Sequence, residues 1–199
     1  MSRRSSDRDV QKVWHDVPRI SLPIPGVREF QSRYESAVPH APVKAMDDLV
    51  SGGAPWSEMI DLIERSAPNG FLIYFRLDFR PLMGLAGDCA ACIGYLMGNH
   101  VIGERMFRHD PRAMLYEPFR TVIWEDKHGA AWFTVEQPSK QLLHLPQIAD
   151  VGIELDQKLA ALLDELGVAA PSYLRGGGQR GSHPADAGRA GREPRAVDD

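Results

Sequence analysis

The residue best placed to do chemistry is His100, which follows Gly98-Asn99 at the point where an apolar run ends and a helical pattern begins. Backbone N–H groups at a helix start favour negative charge, so an imidazole there tends to stay neutral. A neutral imidazole can act as a metal or haem axial ligand or as a general base. It can equally be a second capping residue with its ring in solvent or on a nearby carbonyl. Arg76 and Arg105 are the cations that could fix a substrate anion beside it. His109 lies nine residues further on, on the opposite helix face, and fits a C-terminal position favoured by the helix dipole.

Cys89-Ala90-Ala91-Cys92 has the spacing of a redox pair or of half a zinc site. Redox use wants the first thiol at a helix start, whereas Cys92 enters a strand-like run. The residue after Cys92 is Ile93, not the His that c-type haem attachment needs. Met83, Met97, Met106 and Met114 fall near His100 in sequence, either as an axial ligand source or as filling for an irregular core. Arg105, Arg108, Arg112 and Arg120 alternate with Glu104, Asp110 and Glu117, which describes either an anion clamp or surface ion pairs. Trp56, Trp124 and Trp132 read as core or pocket walls. No Gly-rich phosphate loop, nucleophile elbow or HExxH motif is present.

The elements that must hold these residues follow from periodicity. Arg19 to Leu22 alternates and meets Pro23, which suits a short strand. Helical spacing covers Gly26 to Ala37, Lys44 to Val50 and Pro55 to Ser66. Phe71 to Phe79 and Cys92 to Met97 read as strands, with Arg76 and Asp78 alternating out of the first. Asn99 caps a short helix from His100 to about Arg108. Phe119–Trp124 and Ala131–Val135 flank a Gly-containing polar turn and form a hairpin. A last helix spans about Gln147 to Leu166, with Ile148, Val151, Leu155, Leu159, Leu162 and Leu166 on one face. The mixture predicts an α+β fold, with helices packed on a mostly antiparallel sheet.

The chain has 199 residues, 43% of them hydrophobic, enough for one domain with a real core. Three parts are expected: a loose segment at 1–18, a single α+β domain at 19–170, and a disordered Gly/Ala/Pro/Arg tail at 171–199. Lys and Arg number 23 against 27 Asp and Glu, and both ends are slightly basic, so the body is the acidic part. An acidic body without a basic, aromatic stripe argues against nucleic acid. No apolar run approaches the ~18–20 residues of a membrane span, and the charged first residues lack a secretory pattern. These features predict a cytoplasmic protein.

The stretch Tyr95-Leu96-Met97-Gly98-Asn99-His100, then Met106-Phe107, His109-Asp110-Pro111 and Leu115 to Arg120, is followed by Trp124-Glu125-Asp126 and Phe133 to Ser139. This resembles the bacterial family called domain of unknown function 302, over roughly residues 19–168. The resemblance implies a small α+β fold with a curved antiparallel sheet, similar to the TATA-binding-protein-like fold, and no settled reaction. Many members carry Pro where this chain has His100, and the segment Met46 to Ser66 is longer than in compact members, so the chain resembles an expanded branch.

These readings converge on a domain that binds a small-molecule ligand near Gly98, Asn99 and His100, with Arg76 or Arg105 in reach. An enzymatic version uses His100 as base or haem ligand. Two rivals stand beside it. One is an accessory or homo-oligomerising module paired through the Cys92–Met97 strand or the leucine face of the last helix. The other is thiol-disulfide exchange through Cys89 and Cys92.

Overall fold

Alternation decides which side of each strand meets the core. In β1 (Arg19–Ile24), Ile20, Leu22 and Ile24 are buried and the residues between them are exposed. The same two-residue rhythm runs through β3 (Cys92–Gly98), β4 (Phe119–Glu125) and β5 (Ala131–Glu136), burying Ile93, Tyr95, Met97, Thr121, Ile123, Phe133 and Val135. With β2 (Leu72–Asp78) these strands form one antiparallel sheet in the order β1-β5-β4-β3-β2. This computed structural model describes residues 16–176. The fold is α+β, as the periodicity predicts.

The inward face packs against α1 (Val27–Ala37) and α7 (Ala149–Glu165) in one hydrophobic core. Phe30 and Tyr34 of α1 place their rings 5.5 and 5.6 Å from that of Phe133. The Tyr34 hydroxyl hydrogen-bonds Thr121 Oγ1 at 2.9 Å and lies 3.0 Å from Met97 Sδ, so its polar end is satisfied inside the core. Every apolar position expected on the last helix, from Ile148 to Leu166, is buried. That face and strand β3, which sits between β2 and β4, are both consumed inside the fold, so neither offers a surface for a second copy.

A second, smaller core holds α2 (Val43–Gly52) and α3 (Trp56–Ser66) to the sheet. Met59 and Ile63 of α3 and Ala67 just after it pack on Leu72, with Met46 and Leu49 of α2 and with Tyr74 around them. α5 (His100–Phe107) leaves the end of β3, and a 3-10 turn at Pro111–Tyr116 brings the chain back to β4. Two short helices, α4 (Arg80–Gly84) and α6 (Pro138–Gln141), are too brief for a periodicity argument and each carries Pro in its first turn. The start of α6 is held by buried Asp156, which accepts from Ser139 N at 2.9 Å and from Gln137 Nε2 at 2.6 Å.

The outer edge of β2 is strapped: Ile73 N–H donates to Pro39 O and Ala41 N–H to Ile73 O, both at 2.9 Å. At the opposite edge β1 carries Pro23. The folded body reaches past residue 170. Leu174 is fully buried in a 3-10 turn at Ser172–Arg175, and Arg175 pairs with Asp164. The start of the expected tail is therefore anchored, because Tyr173-Leu174 supplies apolar surface that the surrounding Gly and Arg hide in composition. The remainder of the expected loose ends, 1–15 and 177–199, lies outside the described residues.

Candidate functional site

Asn99 turns the corner from β3 into α5. Its side-chain oxygen accepts from Val101 N and Ile102 N at 2.9 and 3.2 Å, while its amide donates to Gly70 O. It is the cap expected from sequence, and it is buried. His100 then sits in the first turn with its ring stacked on Tyr74, centroids 4.2 Å apart and planes at 28°. The Tyr74 hydroxyl accepts from His100 N–H at 3.3 Å. Burial lowers the His100 pKa and raises that of Tyr74, so both groups are neutral around pH 7.

Behind this corner lies Glu117, which sequence inspection left among the surface acids. It is 7% exposed. One carboxylate oxygen accepts from Asn99 N–H at 2.7 Å, and the other has no hydrogen-bond partner among the described residues. Burial pushes its pKa up to about 8, against the lowering effect of the Asn99 N–H. Glu117 therefore carries a proton near neutrality. Two glycines make its space: a Cβ on Gly98 would lie 2.2 Å from Glu117 Oε1, and one on Gly103 would lie 3.2 Å from Glu117 Cγ. Gly98 thus serves as a carboxyl cradle. The paired Gly98 and Gly103 around a helix start were the sequence signal that a bulky group must pack there.

His100 and Gly103, one turn apart on α5, form the floor of a cleft of about 350 Å³. Its walls are Met46 and Val50 from α2, Trp56 and Met59 from α3, and Phe107 and Met114. Of the four methionines near His100 in sequence, only Met114 reaches this cleft. Met97 and Met106 fill the main core, and Met83 is partly exposed on α4. Met46, Met59 and Trp56 come from a segment about fifty residues earlier.

The two arginines are elsewhere. Arg76 faces α1, where its Nε donates to Glu35 at 2.9 Å beside the Tyr95 hydroxyl, which donates to the same oxygen at 2.8 Å. Burial raises the Glu35 pKa, but bonds from Gln31, Tyr95 and Arg76 outweigh it and the net shift is downward. Asp78, the expected companion of Arg76, instead accepts from Arg80 N. Arg105 pairs with Glu154 of α7 at 2.7 Å, on another side of α5. Arg108 and Arg112 bind Glu104 and Asp110, so these three arginines form ion pairs and no anion clamp.

Haem does not fit this cleft. The lining contains Asp47 and Glu104 but no Lys or Arg to meet propionates. Among the described residues, no three His, Cys, Asp or Glu side chains are grouped to hold a metal ion. Cys89 is exposed and Cys92 half-buried, both as free thiols. Burial and the nearby Asp78 raise the Cys92 pKa, opposite to the shift that activates a thiol.

A larger cavity, about 800 Å³, lies on the exposed face of the sheet between Trp124 and Trp132. Its two indole N–H groups are already engaged: Trp124 Nε1 donates to Thr134 Oγ1 at 2.8 Å and Trp132 Nε1 to Asp126 at 3.1 Å. Arg19, Glu125 and Asp126 line it but no histidine does, whereas the smaller cleft presents the neutral imidazole of His100.

The model of the family described as domain of unknown function DUF302 matches residues 55–166, more than half of the chain. The chain is a DUF302 protein. A structural relative, the crystal structure of an uncharacterized conserved DUF302 protein from Bacillus stearothermophilus, superposes with a TM-score of 0.51. It is 13% identical, with 75% of this chain and 97% of that one covered, which shows a shared fold. No curated protein matches the sequence. The DUF302 match contains α3, His100, Gly103 and Glu117, whereas α2 with Met46, Asp47 and Val50 precedes it. No helix among the described residues is long and apolar enough to cross a membrane.

Proposed function

We propose that this DUF302 domain binds a small, largely apolar molecule in the cleft between α2, α3 and α5, with His100 as its polar contact. The observation that carries the reading is the cleft itself: concave, of about 350 Å³, lined by methionine and aromatic side chains, and closed at its floor by a neutral imidazole. Ligand sites combine apolar walls with a few placed polar groups in this way, and the volume falls at the small end of their range.

A second reading, in which the bound molecule is also converted, is favoured by one arrangement. A neutral imidazole, a phenol and a proton-carrying carboxyl meet around one helix start, and His100 would act as the base. Nile red, an uncharged dye, tests the binding reading. Its fluorescence should rise with the wild-type protein. It should fall away in Val50→Trp, which fills the mouth from an exposed position, and weaken in His100→Ala. Undiminished dye binding in a folded Val50→Trp protein would overturn the assignment.

A further inference from the structure

We infer that the cleft is built for an amphiphilic amine, a molecule with an apolar body and one ammonium head; this deepens the binding reading above and rests on it. The body is provided for by Met46, Met59 and Met114, whose flexible thioethers adapt to unbranched or ring-shaped groups alike. The head follows from charge. The lining has two carboxylates and no cation. Glu104 is occupied by Arg108, whose Nε lies 3.1 Å from it, while Asp47 has no ion-pair or hydrogen-bond partner among the described residues.

An anionic ligand entering here meets only like charge and a neutral ring. An uncharged one leaves Asp47 unused. An ammonium at the mouth meets the Asp47 carboxylate from α2 and the partly exposed indole of Trp56 from α3, whose face attracts cations. Both contacts are solvent-facing, so the preference is modest: about 3- to 30-fold over an uncharged isostere.

Three probes with one body separate the classes: phenethylamine, 2-phenylethanol and 3-phenylpropionate, titrated calorimetrically and by displacement of Nile red. The amine should bind tightest by that factor and the carboxylate weakest, and the amine's advantage should shrink with added salt. Asp47→Asn, at an exposed helix position, should remove most of the amine's advantage without weakening the alcohol. Trp56→Leu should cut the amine's advantage in part. Equal binding of amine and alcohol to wild type, or an advantage that Asp47→Asn leaves undiminished, overturns the inference. If Nile red binds in the cleft and none of the three displaces it, the amine class falls and the apolar cleft stands. Failure of the Nile red assignment removes both.

Discussion

Glu117 gives the sharpest prediction because its burial has a calculable pH dependence. In the unfolded chain its carboxyl releases its proton near the ordinary value of 4.5, whereas the folded protein holds it up to about 8. Between those values the unfolded state binds fewer protons, so stability falls as pH rises, by about 1.4 kcal/mol per pH unit from this one group. The loss levels off above about pH 8, at a total of about 5 kcal/mol. Below about pH 4.5 the group is protonated in both states and contributes nothing. Glu117→Gln keeps the shape and an oxygen for the Asn99 N–H, and removes the titration. The variant should match wild type within about 1 kcal/mol near pH 5 and exceed it by several kcal/mol near pH 8. Urea unfolding of both proteins at half-unit steps across that window yields a difference curve in which all other titrations cancel. A flat difference curve would refute the reasoning, since it would mean that Glu117 ionises alike in both states.

Gly98→Ala should destabilise by about 1–3 kcal/mol, because its methyl group would stand 2.2 Å from Glu117 Oε1. The double variant with Glu117→Ala should recover part of that loss, read as a coupling energy in a denaturation cycle. Alkylation with iodoacetamide near neutral pH should modify exposed Cys89 well before half-buried Cys92, followed by peptide mass spectrometry. Equally fast labelling of Cys92 would restore the thiol-exchange reading.

The strands and the long helix were legible because their apolar residues recur with periods of two and 3.6, as in β1 and the Ile148–Leu166 stripe. The Gly98-Asn99-His100 corner was legible for a local reason too: a cap acts within three residues. Glu117 was not, since its burial depends on glycines 14 and 19 positions earlier that meet it only after β4 returns beside β3. The cleft walls were hidden likewise, because Met46 and Met59 reach α5 through a separate small core. Alternation reveals which face Arg76 occupies but not that Glu35 stands on the helix above it.

The two rims of the sheet bear on how copies of this protein can meet. At β2 the backbone groups of Ile73 are already taken by the 39–41 strap. At β1, Pro23 interrupts the row of donors that an incoming strand would need. A sixth strand from another molecule therefore finds one rim closed at Ile73 and a gap in the other, which disfavours growth of the sheet from chain to chain into a fibre.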